Sequence, residues 1–439
     1  MSAHKVWSFF ALWLALASSS LAAPLPQPLS LQDALALAAD ENHYDIQLRA
    51  ADMDVARASL RTAQGEKDLL IGFEARLRYL EPADLSADQS NNDNSAVLVA
   101  RKRLFDSGRS GALELAARES IDSEEQRMVW TLQQRKLEVM RAFYDVLLAD
   151  RVFTLANERM AIMYVDFDKV KDRHELGQLS QVDVLRVQTQ YEEALRERSL
   201  AEAGRRTARV KLAAALGDVT QLPAELNEPK LEGLETRPSP DVDAMVKTAL
   251  DANPQLSALR HQIQAANGRV EAARARRMPV IDAVVDGGTY HRPVGGNDPF
   301  RAGLVFSAPL LVGGAYDGEL ARAEAERRRS MALVVRAEAE LRQRITELVL
   351  KIDVLRKSFL GDQVRSDYRD LYMERSRALY EMEVSTDLGD SMVQMTDAQL
   401  RAMRTLYALS MAWAELDALT GLAIDPLRAA LPATQGKKP

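Results

Sequence analysis

The sequence has 439 residues, with 57 Lys and Arg against 64 Asp and Glu, and no cysteine. The length is ample for a sizeable core. The missing cysteines exclude disulfides, thiolate zinc sites, cysteine nucleophiles and an acylated cysteine anchor. A net charge of −7 argues against nucleic acid as a partner, because such binders need excess Lys and Arg to replace counterions. Aromatic residues make up only 6%, while Ala, Leu, Glu and Arg abound, a bias that points to long helices.

In chain order, residues 1–22 read as a signal peptide: Lys5, then an apolar run over 6–17, then Ser20, Leu21 and Ala22 at the cleavage positions. The run is short of the ~20 apolar residues that a membrane-spanning helix needs. The best later stretch, 408–424, contains Glu415 and Asp417 and fits an amphipathic pattern. An exported protein without a transmembrane helix is therefore expected. Residues 49–65 read as helix. From Ile71 the period becomes two, with Ile71, Phe73, Ala75, Leu77 and Tyr79 alternating with Gly72, Glu74, Arg76 and Arg78. A polar loop over 81–95 and a second extended stretch over 96–105 complete a β-hairpin assigned to 69–105. Residues 110–173 contain no Pro and only Gly111, which predicts one helix on the order of 100 Å long. A turn near 177–183 and a return helix follow.

A Pro-rich linker over 218–240 separates this unit, 23–217, from a second one, 241–422, which is followed by a tail over 423–439. The second unit keeps the same order: a helix, a hairpin over 280–310, a long helix, a turn near 381–387 and a return helix. Corresponding segments are 35–42 with 246–253, 104–109 with 310–315, and Leu179-Ser180 with Val384-Ser385. Heptad seams run along the long helices: Leu137, Met140, Tyr144 and Leu147; Leu341, Ile345, Leu348, Ile352 and Leu355; then Met395 through Leu419. The fold class expected is mostly α with β, a duplicated unit of long coiled-coil helices plus β-hairpins.

On these features the sequence resembles the TolC-type outer-membrane efflux protein family, over about Leu29 to Leu422. The segments that carry the likeness are Leu104-Phe105-Asp106-Ser107-Gly108-Arg109, like the family's strand-to-helix junction, and 177–185 (GQLSQVDVL), like its periplasmic helical turn. Residues 139–149 and 416–421 also fit. The resemblance implies a homotrimer, whose chains each give four strands to one 12-stranded outer-membrane β-barrel continued by a periplasmic α-helical barrel. It implies a Gram-negative outer-membrane location, without a lipid anchor here because there is no Cys. The implied role is the exit duct of a tripartite efflux pump or type I secretion system, passively conducting cargo. Its partners would be a periplasmic adaptor, an RND- or ABC-type inner-membrane pump and outer-membrane lipid. Oligomeric closure also follows from the residues, because four strands in lipid would leave edge N–H and C=O groups unpaired.

Ile71, Phe73, Leu77, Phe300, Leu304 and Phe306 are then expected to face lipid, and Glu74, Arg76 and Arg78 the lumen. At the first tip, Gly177 permits a tight turn, Leu179 offers an apolar knob, and Ser180 with Asp183 caps the return helix. The tip is either a well-capped turn alone or, by the resemblance, also an adaptor-docking surface, with Val384 and Ser385 as the second-copy counterparts. Asp387 and Asp390 share a helix face and form either a carboxylate ring at the periplasmic entrance or simple first-turn acids. His43, His174, His261 and His291 lie in different elements without ligand spacing, so no metal or cofactor is expected, and no catalytic constellation is found. A soluble periplasmic coiled-coil scaffold or adaptor is the alternative to a duct; an outer-membrane enzyme is a weaker third.

Overall fold

The computed structural model describes residues 26–219, 221–231, 233–292, 298–310, 313–382 and 388–424. The elements are α1 (Leu31–Leu37), α2 (Tyr44–Gly65), β1 (Leu69–Arg76), β2 (Ser95–Phe105), α3 (Arg109–Glu175) and α4 (Gln181–Leu216). After them come α5 (Val242–Ala252), α6 (Pro254–Ala275), β3 (Val280–Tyr290), β4 (Phe300–Ser307), α7 (Gly314–Glu381) and α8 (Leu388–Leu419). The signal-peptide assignment and most of the C-terminal tail lie outside the described residues. Two helices, two strands, a very long helix and a return helix thus occur twice in the same order. At 67 and 68 residues, α3 and α7 are each about 100 Å long.

The strands form one antiparallel sheet in the order β1-β2-β3-β4, so β1 and β4 are its edges. The turn from β2 into α3 is built by Asp106, whose carboxylate accepts from Gly108 N at 3.2 Å and Ser110 N at 2.8 Å. It serves the otherwise orphaned first amides of a helix whose N-cap is glycine, with no side chain to do so. Ser107, with φ 54, donates its hydroxyl to the Pro279 carbonyl at 2.8 Å and joins this junction to the start of β3.

Along α3 the neighbours change. Its first turns pack against α2 and α6, its far half against α4 and α8. Between them the heptad seams converge: Met140, Tyr144, Ile345, Leu348, Ile352 and Leu409 are almost wholly buried in one cluster. Each such side chain stabilises the fold by roughly 1.5–3 kcal/mol relative to exposure. The short helices α1 and α5 and the linker residues Leu231 and Leu234 close this cluster from the side. Arg135, 2% exposed, binds the cluster's periphery: Nε and Nη2 donate to the carbonyls of Ala38 and Ala215, and Nη1 pairs with Asp45 at 3.3 Å. It satisfies helix-terminal carbonyls of α1 and α4 while meeting the first turn of α2. The Tyr144 and Tyr407 rings stack at 4.3 Å, and the Tyr144 hydroxyl meets Ser410 Oγ at 2.9 Å.

Near the sheet, α3 and α6 approach closely because small residues line their contact: Ala116, Ala117, Ala258, Ala265 and Gly268. A Cβ on Gly268 would stand 2.8 Å from the Ala112 carbonyl oxygen and 3.0 Å from Ala116 Cβ. Gly268→Val is therefore expected to force the helices apart and cost about 1–3 kcal/mol, seen as a lowered unfolding temperature of the purified protein. Val substituted at Gly204, where a Cβ meets nothing within 4 Å, is the control and should shift it far less.

Candidate functional site

The strand register sorts the sheet into two unlike faces. On one lie Leu69, Ile71, Phe73 and Ala75 of β1, Ala96, Leu98 and Ala100 of β2, Ala283 and Val285 of β3, and Phe300, Ala302, Leu304 and Phe306 of β4. Lys102 breaks this face only at its helix-proximal end, opposite Leu69 and Ala283, where a long side chain reaches past apolar surface to water. Ile71, Phe73, Phe300, Leu304 and Phe306 are 60–71% exposed, so nothing among the described residues covers these predicted apolar side chains. The other face carries Glu74, Arg76, Arg101, Arg103, Asp282, Asp286 and Arg301. Charges there pair across strands: Arg103 Nε to Asp282 at 3.1 Å and Arg301 Nε to Asp286 at 2.8 Å.

Leu77 differs from its expected place in a strand. β1 ends at Arg76, because the Arg78 amide donates to the Asn94 side-chain oxygen at 3.0 Å instead of continuing the ladder. Leu77 stays exposed at 87%, one residue beyond the sheet, and an isolated bridge from Tyr79 to Asn92 resumes pairing within the loop. β4 likewise stops at Ser307, short of the hairpin end expected at 310.

At the first tip α3 ends in a Schellman arrangement. Gly177 has φ +74, the Gly177 amide donates to the His174 carbonyl at 2.7 Å and the Gln178 amide to Arg173 at 2.9 Å. His174 Nδ1 and the Leu179 carbonyl are 2.8 Å apart and brace the turn. Ser180 and Asp183 form the expected capping box, Ser180 Oγ accepting from the Asp183 amide and the Asp183 carboxylate accepting from the Ser180 amide, both at 3.3 Å. The Ser180 side-chain and backbone hydrogen bonds hold the Asp183 carboxyl below the usual carboxylate range. The expected exposed knob at Leu179 is corrected. The braced turn leaves Leu179 half-buried, and the exposed apolar side chains are Leu176 at 73% and Val182 at 75%. Their pattern was legible in the sequence, but which one the turn would cover depended on the His174 bond.

The second tip falls mostly outside the described residues, and Val384, Ser385 and Asp387 all lie outside them. Asp390 is described, exposed in the first turn of α8 and hydrogen-bonded by Gln394. The histidines set aside as scattered are not all so in space. His261 of α6 stands 2.8 Å from Glu119 of α3, 142 residues away, a proximity that no local spacing signals.

A sheet with one bare apolar face and one charged face, extended by helices of about 100 Å, has the build of a membrane-channel wall. The chain belongs to the outer membrane efflux protein family, whose model matches residues 35–218 and 245–422. It is 27% identical over 361 residues to Protein CyaE of Bordetella pertussis, covering 74% of this chain and 73% of that one. It is 22% identical over 305 residues to the outer membrane protein TolC of Escherichia coli, covering 64% of this chain and 59% of TolC, less than two thirds of that relative. Its fold is similar to the Campylobacter jejuni CmeC outer membrane channel, with TM-score 0.74, 13% identity, and 89% and 85% of the two chains covered.

The lowered Asp183 carboxyl gives a pH dependence with a definite sign. Its stabilisation of the α4 cap is present above the ordinary carboxylate value near 3.9 and is lost as pH falls through the depressed folded value. Hydrogen exchange of the Asp183 and Val184 amides should therefore stay protected until strongly acidic pH. Ser180→Ala should cost about 1 kcal/mol of local protection and move the acid loosening upward.

Proposed function

We propose that three copies of this chain close into one outer-membrane duct. The supporting observation is the sheet: its apolar face is uncovered, and its edge strands β1 and β4 each have one unpaired side. In hydrocarbon those backbone groups have no water to bind, so each β1 must pair with the β4 of a neighbour. Three sheets give twelve strands, with the apolar face toward lipid and the Arg103–Asp282 and Arg301–Asp286 pairs toward a water-filled lumen. The long helices carry the duct on into the periplasm. The chain is read as two units, 23–217 and 241–422, each contributing one hairpin and one helical tip to the duct.

In this reading the duct performs no chemistry. It accepts cargo from an RND- or ABC-type inner-membrane pump through a periplasmic adaptor, in a tripartite efflux pump or a type I secretion system. The adaptor docks at the first tip, where Gly177, Ser180 and Asp183 set the turn and Leu176 and Val182 offer apolar contacts. Val384 and Ser385 belong to the second docking tip. Asp387 with Asp390 forms the entrance ring, repeated by three-fold symmetry.

The soluble scaffold reading and the duct reading separate on one experiment. The purified protein should need detergent, run as a trimer and insert into planar bilayers with uniform conductance steps; a soluble monomer without conductance would sink the duct. Asp387→Ala with Asp390→Ala should weaken block by divalent cations in such recordings, whereas unchanged block would remove these residues from the entrance. Leu176→Asp with Val182→Asp should abolish pump-dependent export while leaving detergent-stable trimers, and normal export would count against docking at this tip.

A further inference from the structure

About ten residues beyond the start of α3, Glu119 and Asp122 lie on one face of the helix, three positions apart. His261 of α6 faces them, and one ligand atom from each of the three residues lies within 4.8 Å of the others. All three side chains are partly buried. We propose that this triad is a divalent transition-metal site, best matched to Zn2+, that ties the first half of the chain to the second through the α3–α6 helix pair.

The donor set selects the ion. One imidazole nitrogen with two carboxylate oxygens suits Zn2+ and its first-row neighbours, while Mg2+ and Ca2+ prefer all-oxygen cages and Cu(I) prefers sulfur. Charge agrees: two carboxylates and a neutral imidazole carry two negative charges, which a divalent ion cancels. Three protein ligands leave a coordination position for water, as in zinc sites that exchange. Asp122 makes no hydrogen bond or ion pair among the described residues, so it is not held by a competing cation. Glu119 has its 2.8 Å contact to His261 Nδ1. A metal entering there would replace this contact by bonds to both groups.

The surroundings hold the ligands in place. Ser123 Oγ donates to the Ala258 carbonyl at 3.0 Å, next to Asp122 on α3 and one turn before His261 on α6. On the other side, Gly268 sits so close to α3 that even a Cβ would collide with the Ala112 carbonyl. The helix separation is therefore fixed by backbone contacts independent of the triad, the rigid support that a metal site requires. The Arg residues nearby are engaged elsewhere: Arg118 with Glu114, Arg127 with Glu124, Arg260 with Glu338, and Arg269 with Ser120.

The full-length protein, purified in detergent and stripped with a chelator, is titrated with ZnCl2 by calorimetry and followed by thermal unfolding. The site predicts about one Zn2+ per chain and a rise in unfolding temperature with Zn2+ but not with Mg2+. His261→Gln and Asp122→Asn should each weaken Zn2+ binding by at least about tenfold and abolish the temperature rise. His174→Gln, at the distant tip, should leave both unchanged. Co2+ substitution should give a d–d absorption band that His261→Gln removes. A simple His–Glu ion pair predicts the opposite: His261→Gln lowers stability equally with and without Zn2+, and that result overturns the proposal. Zn2+ binding that survives both substitutions overturns it as well. Circular dichroism and trimer mobility confirm that each variant is folded, and neither readout depends on export or conductance.

Discussion

The structure depends on where a four-stranded sheet sends its backbone hydrogen bonds. β2 and β3 are satisfied on both sides, whereas β1 and β4 each turn one row of N–H and C=O groups outward. In water that row is tolerable. Beside a face as apolar as this one in a lipid setting it is not, because the medium that accepts Ile71, Phe73, Phe300 and Leu304 offers nothing to an unpaired amide. In the proposed duct one chain is therefore an incomplete object, and its sheet is one sector of a closed barrel.

The helices answer a different demand. α3, 67 residues long, does not bury one face against a single partner along its whole length. It exchanges neighbours, from α2 and α6 near the sheet to α4 and α8 toward the tip. The changeover coincides with the largest apolar cluster, where α1, α5 and the linker fill the space that the exchange opens. Arg135 is the polar counterpart of that packing. One guanidinium serves the ends of two helices and the start of a third, positions where carbonyls and amides would otherwise be stranded. Small residues such as Gly268 and Ala258 line the contact with α6, while Leu and Ile side chains fill the cluster further along.

Much of this was legible before any coordinates. Period-two alternation at Ile71 and Phe300 named the strands and their apolar face, because the side-chain period of a strand is two whatever its neighbours are. Heptads such as Leu341, Ile345, Leu348 and Ile352 named the buried seam for the same kind of reason. The capping box at Ser180 was written in four adjacent residues. Failures of the reading share a cause. Leu77 was lost from the strand to a side chain 17 positions away, and Leu179 was covered by a turn whose brace is a histidine. His261 was dismissed because its neighbours in sequence offer nothing, while its neighbour in space, Glu119, is 142 residues off.

The sequence by itself determined period, length and polarity: which stretches are helix or strand, how long they run and which face of each is apolar. These are local, set by backbone geometry and by the transfer free energy of neighbouring side chains. Only the tertiary structure decided register and adjacency. It joined β2 to β3, aligned Arg103 with Asp282 and brought Glu119 and Asp122 against His261. Those outcomes depend on how two long helices pack over many turns, and that is a collective property of the core which no single window of residues contains.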